Sequence, residues 1–535
     1  MALATLCRDI LTADEPFMGP LYAYSQYPRT KATVRAFIVD HKLRPNSREE
    51  ASDVLAELAN LRIASEVLEL DWSQRRDPAT LPNFESIARM LRFRALGRAC
   101  ARHEINTLLV AHHADDQAET ALSRIHNHYL GTGLAGIRMI TPIPECHDIF
   151  GVGQDLGRSD SERSPAAVNQ AMAIATSGIQ VGRPLLSCEK SQLIALCQRS
   201  DVKWFEDPTN ADRMLTVRNT IRYLQKTQDL PVALRTARLN SLVREVSEKR
   251  DREQNMAMNI FNSMPVNLGL RLGVAQFSLE RTVLFAIGAA PGIVKSYLLR
   301  EMLMLVSPTA TIKLDQLNSA VKTVFPSNEV VDGFASPGGT SNLGQVAGVQ
   351  IFRVAASEPG IAPALILRRA APRAVERQTL DVHLWPFPPD SHQSQSNTQM
   401  WQLWDHRYWI RVRPPKSSKE RNTQIWVRMV DSDMLSELRK QLPLGARATL
   451  AQALRHAPGV VRFTMPAIFM TQNVISAGSS SVTEKLVVLP SVNWNAPGWV
   501  GEPAKSDSSS WRWDIKYKHV DMSSEHHKIG EDRMR

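Results

Sequence analysis

Apolar residues return at helical intervals over residues 2–11, where Leu3, Leu6, Cys7, Ile10 and Leu11 share one face, and this spacing predicts an amphipathic helix with no strand before it. A strand-like run over residues 34–39 ends at Asp40 and His41, and helical periodicity follows over residues 48–61 and 85–103. Leu108, Leu109, Val110 and Ala111 predict a short buried strand, after which Ala118, Ala121 and Leu122 resume helical spacing. Strands alternating with helices at these intervals predict an α/β fold with a doubly wound, mostly parallel sheet. The pattern lapses over residues 146–179 into Gly, Ser, Asp and Ala, which reads as a loop or insertion, and residues 182–224 close the α/β unit. A helical region spans residues 231–324, with a charged helix at 239–256 and an apolar one at 293–306. Residues 336–344 read as a turn or linker, residues 401–412, 424–430 and 460–469 have strand character, and the chain from residue 505 on is polar and expected to fray. The expected division is an α/β domain over residues 1–225, a helical domain over 226–330 and a mixed α+β region over 331–535.

Composition narrows the class. A chain of 535 residues is too long for one core, and 43% hydrophobic with 22% charged residues is globular. The formal net charge of +10 favours a polyanionic partner, because Lys and Arg that neutralise phosphates release condensed counterions. The five cysteines, Cys7, Cys100, Cys146, Cys188 and Cys197, form no CxxC pair, which argues against a disulfide framework or a zinc or iron–sulfur site and fits a reducing compartment. No apolar run reaches the length of a membrane span and no secretory layout opens the chain, so a soluble, intracellular protein with no membrane partner is expected.

Three clusters carry candidate chemistry. The stretch HHADDQAET at residues 112–120 holds His112, His113, Asp115, Asp116 and Glu119 at a strand-to-helix turn, the carboxyl edge where open α/β sheets bind ligands. Asp115, Asp116 and Glu119 recur three to four residues apart, a set able to chelate Mg²⁺ or hold an ammonium group. A solvated acidic helix start would explain one or two of the acids but not the paired histidines. Asp40, His41 and Arg44 in VDHKLR stand at the end of another strand and define a pocket with the first cluster; the alternative is that Asp40 or Ser47 caps the next helix. The third cluster, residues 204–222, combines Glu206, Asp207, Asn210, Arg218, Asn219 and Arg222. Arg218 and Arg222 are four apart, suited to gripping phosphate oxygens or to surface salt bridges. Trp404, Arg407, Trp409, Arg411 and Arg413, then Lys416, Lys419 and Arg421, interleave aromatics with charge, as a tRNA-holding surface or an edge strand with a basic loop would.

VDHKLR at 39–44, ARMLRF at 88–93, HHADDQAET at 112–120, GLAG at 133–136, GRPLL at 182–186, and EDPTN with RNTIR at 206–222 together resemble the tRNA(Ile)-lysidine synthetases of the PP-loop ATP pyrophosphatase group. The resemblance is strong over residues 1–225 and fades beyond. It implies an ATP-dependent carbon–nitrogen ligase that adenylates the wobble cytidine of tRNA(Ile) with a CAU anticodon and then joins lysine to it, with ATP and Mg²⁺ as cofactors. By the same resemblance Asp40, His41 and Arg44 would lie at the nucleotide, and Arg89 or Arg92 near phosphate or the lysine carboxylate. Asp116 and Glu119 would face lysine or Mg²⁺, with Asp115 and His112 supporting them, and Arg218, Asn219 and Arg222 would contact tRNA or the adenylate.

The sequence also departs from the family pattern. Its members carry an SGGxDS phosphate loop, and no such stretch occurs in these 535 residues. Gly338-Gly339-Thr340-Ser341 follows the acidic cluster instead of preceding it and lacks the Asp, and Gly151-Val152-Gly153 is a poor dinucleotide motif. The Arg-Gly pair usual before GLAG is replaced by His126-Asn127-His128-Tyr129. Since Met1-Ala2-Leu3 matches what commonly follows the loop, the chain is expected to start just downstream of its own nucleotide loop and, as it stands, to bind little ATP. The rival functions are a catalytically silent tRNA-binding protein and another PP-loop tRNA-modifying enzyme such as a thiolase, which commonly needs cysteine pairs. The compartment expected is the mitochondrion in a eukaryote and otherwise the cytoplasm.

Overall fold

A computed structural model of the protein describes residues 1–12, 33–72, 83–153, 172–175, 178–206, 217–227, 229–326, 339–356, 361–385, 401–415, 423–476, 479–501 and 510–530. The chain divides into two units, Met1–Cys146 with Val152–Asp155 and Gly178–Asp251, and His147–Gly151 with Leu156–Ser177 and Arg252–Arg535.

The first unit realises the strand–helix alternation. Helix α1 (Ala2–Thr12) is followed by β1 (Arg35–Asp40), α2 (Ser47–Asn60) and β2 (Ala64–Glu69). Strands β1 and β2 pair in parallel from Arg35↔Ala64 to Asp40↔Glu69, as a helical crossover between them requires. Leu58, Leu61, Ile63 and Val202 form a local core against Ile38, Val54 and the start of α1. Helix α3 (Phe84–Arg102) buries Phe93, Leu96, Ala99 and Cys100. It leads to β3 (Thr107–Leu109), α4 (Ala114–His126) and β4 (Ile140–Pro142). Next come β5 (Ala173–Ile174), which belongs to the second unit, and β6 (Gln180–Gly182), which pairs in parallel with β3 and antiparallel with β4. After α5 (Lys190–Arg199), helices α6 (Val217–Thr227) and α7 (Thr236–Ser263) return to α4. Ala118, Ala121 and Leu122 of α4, Ile221 of α6 and Leu239 and Val243 of α7 share one buried cluster, so the apolar spacing beyond the acids is what docks the three helices.

The second unit departs from the expected division. Residues 226–330 do not close on a core of their own. Strands Val266–Gly269 and Val274–Ser278 join a six-stranded sheet with Ala364–Arg369, Val349–Val354, Thr340–Val346 and His527–Gly530. The apolar helix Gly292–Met304 is buried in the same cluster as strand residues from both sides of residue 330. Residues 340–344, expected as a linker, are therefore strand. The chain beyond residue 505 is not all frayed either: Trp511–Tyr517 lies inside a second sheet, where Trp511, Trp513 and Tyr517 are buried. Within residues 146–179, β5 pairs with that strand, and Met172 and Ile174 enter the core.

The aromatic and basic residues of 401–413, expected at a tRNA surface, are internal or paired. Trp404 and Arg407 are fully buried, Trp409 is buried, and Arg411 and Arg413 stand 2.7 and 3.0 Å from Asp514. Alternating apolar and polar positions here signal a sheet core, not a stacking surface. Lys416, Lys419 and Arg421 lie outside the described residues.

Arg407 belongs to a buried charge network. Asp405 Oδ2 accepts from Arg407 Nε at 2.7 Å and from Arg369 Nε at 3.1 Å, with all three side chains buried. The Lys518 ammonium donates to the Ser307 carbonyl at 2.7 Å, and burial reinforced by the Arg407 charge pushes it down to about 7, with Asp405 opposing. One carboxylate thus serves two guanidinium groups. Asp405→Ala is expected to lower the unfolding free energy by about 3–5 kcal/mol, because two buried cations lose their partner; a loss below about 1 kcal/mol in urea denaturation would remove the network's structural role. Because the folded Lys518 binds its proton less tightly than an unfolded lysine near pH 10.4, the unfolded state holds more protons between about 7 and 10.4. Stability is expected to rise with pH from about 7 upward, and Lys518→Met should flatten that slope.

Candidate functional site

Residues 112–119 are shaped by how α4 begins. Three residues separate the end of β3 from the extended backbone of His113, whose N–H donates to Asp116 Oδ2 at 3.0 Å in a capping-box geometry. Asp115 turns outward and its Oδ2 accepts the Lys190 N–H at 2.9 Å, while His113 Nδ1 lies 3.3 Å from the same oxygen. The His113 hydrogen bond, with help from the Lys190 amide, holds the Asp115 carboxyl below the usual carboxylate range against an opposing burial effect. Gln117 clasps the following loop, donating to the Ile137 carbonyl at 2.9 Å and accepting its N–H at 2.7 Å. The GLAG segment is read through this contact: Gly136 has φ +61°, and a Cβ there would collide with Gln117 Oε1 and Val243.

Glu119 is buried and both its oxygens are held by α6. Arg218 Nε donates to Oε1, and Arg222 Nε donates to Oε2 at 2.7 Å. The same two guanidinium groups approach Asp116 Oδ1 at 3.7 and 3.9 Å. The i, i+4 spacing of Arg218 and Arg222 brings both Nε donors onto a carboxylate of this chain, the ion-pairing alternative that stood beside a phosphate grip. Asn219 is buried on the same helix. Asp207 and Asn210 lie outside the described residues, and Glu206 pairs with Lys190 at 3.3 Å.

A second group of cations gathers beside His112. Burial first, then the charges of Arg183, Arg92 and Arg218, push His112 toward its neutral form, while Asp116 opposes them. Arg92 is half-buried and its proton affinity is lowered by burial and by Arg89 and Arg218; Arg183 is lowered by burial and by Arg89. Arg89 and Arg92 both lie over the Phe93 ring, at 4.8 and 5.4 Å from its centroid. Arg183, from the GRPLL segment, escaped the reading of the residues as a site; its signal was a charged residue directly after a buried strand.

The Asp40 cluster is engaged locally. Asp40 is buried and its Oδ1 accepts the Lys42 N–H at 2.8 Å, with Lys42 at φ 52°. This bond turns the loop. It does not cap α2, whose N-cap is Asn46 without a side-chain bond. The His41 carbonyl accepts from Trp72 Nε1 at 2.9 Å, and Arg44 pairs with Glu50 at 2.9 Å.

Magnesium does not fit Asp116 and Glu119 as they stand. Two guanidinium groups fill the Glu119 oxygens and flank Asp116 Oδ1, and no group of three His, Cys, Asp or Glu side chains suited to a metal occurs among the described residues. The positive charges of Arg183, Arg92 and Arg218, all of which act on His112, suit an anion better.

Residues 18–227 match a PP-loop domain. The chain is 28% identical over 467 residues to a probable tRNA(Ile)-lysidine synthase of Schizosaccharomyces pombe, covering 86% of this chain and 84% of that one. The chain carries a PP-loop domain and is a homologue of the tRNA(Ile)-lysidine synthases. Bacterial relatives of that name align over the first part only: one from Bradyrhizobium sp. is 32% identical over 36% of this chain and 43% of its own length. Another, from Wolbachia pipientis wMel, is 31% identical over 36% of each. The chain thus spans under half of these bacterial relatives but most of the fission-yeast one. The PP-loop match agrees with the adenine-nucleotide α-hydrolase-like fold expected from the sequence, and the similar proteins bear the name expected from it.

Gly136→Ala should destabilise the first unit by about 1–3 kcal/mol, through the positive φ and the collision with Gln117 together. Urea denaturation followed by far-UV circular dichroism checks this. A neutral effect would mean that the clasp between α4 and residue 137 yields freely.

Proposed function

We propose that the chain is a tRNA(Ile)-lysidine synthase: it uses ATP to adenylate the ring carbonyl oxygen of the wobble cytidine of a tRNA(Ile) bearing a CAU anticodon, releasing pyrophosphate, and the lysine amine then attacks the carbon bearing that oxygen, with loss of AMP. The observation that carries the reading is the fixed array around α4. His112, Asp115, Asp116 and Glu119 sit with Arg218 and Arg222 on one side, while Arg92 and Arg183 join Arg218 in acting on His112. Electrostatic preorganisation of this kind favours a reaction in which a phosphate-bearing group departs and an amine enters.

In this reading Arg89 and Arg92 hold phosphate oxygens, and Asp116, whose Oδ2 is fixed by the His113 amide, orients the lysine amine. Glu119 acts through the arginines it holds, positioning Arg218 and Arg222 for the adenylate or the tRNA backbone, with Asn219 beside them. Asp40, His41 and Arg44 belong to the nucleotide side. ATP brings the activating chemistry, and the net charge of +10 favours tRNA as the polyanionic partner. A mitochondrial tRNA is the substrate proposed if the host is a eukaryote. No helix among the described residues is long and apolar enough to cross a membrane.

A second reading is a silent tRNA-binding protein, favoured by the net charge of +10, which suits a tRNA partner without any chemistry. Incubating the protein with ATP, lysine and the tRNA, then analysing nucleosides by mass, separates the two. Lysidine formation supports the ligase; tRNA binding without lysidine supports the silent binder. In a protein that forms lysidine, Asp116→Ala is expected to reduce the rate at least about a hundredfold, the scale of removing a preorganised polar group, and full retention of rate would overturn its role.

A further inference from the structure

The charges of the first unit are unevenly matched. Arg218 and Arg222 are held by Glu119 and Asp116. Arg89, Arg92 and Arg183 interact electrostatically with one another or with His112, and none forms an ion pair with a carboxylate among the described residues. Arg183 is the extreme case, with 5% of its surface exposed. Its Nη1 donates to the Arg138 carbonyl and to Thr141 Oγ1, both at 3.0 Å, which aims the guanidinium without neutralising it. Its Nε–H is buried and has no acceptor among the described residues. A buried guanidinium without a counter-charge is unfavourable on its own, and neutral carbonyls relieve only its hydrogen-bonding deficit.

We propose that Arg183 closes a three-arginine subsite with Arg89 and Arg92 that takes a multiply charged phosphate group, the pyrophosphate end of the nucleotide. Two elements supply it: Arg89 and Arg92, three residues apart on α3, present an outer face, and Arg183 after β6 forms the base. The valence selects the ligand, since a single carboxylate such as that of lysine leaves most of the cationic charge uncompensated, whereas pyrophosphate matches it and accepts from several guanidinium N–H groups at once. This inference rests on the ligase reading for the identity of the nucleotide, but the anion subsite is testable without it. The arginines are a phosphate anchor made of side chains.

The experiment is titration of the full chain with inorganic pyrophosphate alone, and separately with lysine, by calorimetry at low salt. The unmodified protein is expected to bind pyrophosphate, and Arg183→Gln to weaken it at least tenfold while lysine affinity changes less than twofold. Arg183→Lys should recover part of the loss, and Thr141→Val, which removes only an aiming contact, should lose less than Arg183→Gln. If Arg183→Gln fails to fold, Arg89→Gln on the exposed face supplies the same comparison. No pyrophosphate binding by the unmodified chain, equal affinity in the glutamine variants, or a larger effect on lysine than on pyrophosphate overturns the proposal. A chain that binds pyrophosphate through Arg183 yet forms no lysidine keeps the subsite and removes the ligase reading.

Discussion

The candidate site depends on one buried carboxylate. Glu119 faces the interior of the packing between α4 and α6, where an isolated negative charge would be strongly unfavourable, and the two guanidinium groups of α6 make its burial possible. The reverse also holds: without Glu119, Arg218 and Arg222 would repel each other one helical turn apart. The apolar contacts of Ala118, Ala121 and Leu122 with Ile221 and Leu239 bring the helices together, and the ionic contact fixes which residues of α6 stand beside Asp116. Packing supplies the affinity between helices and the charge pair supplies their register.

That constraint sorts the arginines into two kinds. Those of α6 are bound by carboxylates of this chain and have a fixed direction. Those of α3 and the segment after β6 have no such partner among the described residues and remain mutually repulsive. Mutual repulsion of like charges persists in a fold only where packing holds them, and here Phe93 beneath Arg89 and Arg92, and the carbonyl of Arg138 beside Arg183, do so. His112 feels the charge of both sets and is kept toward its neutral form by burial and by Arg183, Arg92 and Arg218, so it contributes hydrogen-bonding capacity to the site without adding a fourth positive charge.

Much of the first unit was legible in the sequence because its signals are local. The periodicity over 48–61 and 85–103 gave α2 and α3 within a residue or two, and HHADDQAET fell at a helix start because alternating strand and helix patterns leave polar residues at the turns. Who partners whom was not legible. Arg218 and Glu119 are 99 positions apart, and spacing along α6 describes a grip without naming what is gripped. The second unit was read poorly for the same reason: its sheets pair strands as distant as Val266–Gly269 and His527–Gly530, so polar composition at the chain end hid a strand whose partner lies far upstream. Interleaved Trp and Arg over 401–413 resembled a nucleic-acid surface because composition does not distinguish an exposed cation from one buried on Asp405 or Asp514.

A glycine-rich phosphate loop and arginines without a carboxylate partner meet the same physical requirement by different means. A glycine-rich loop holds phosphates with backbone N–H groups and a helix dipole, which are neutral groups whose attraction depends on direction and survives salt fairly well. Guanidinium groups supply formal charge instead, so their hold on a phosphate is longer in range and more readily screened where the groups are exposed. Arg183 tempers that difference, because burial shields it from counterions, whereas Arg89 faces solvent. A phosphate held this way would therefore lose its outer contacts to salt first and keep the inner one, giving a weaker salt dependence than three exposed arginines would.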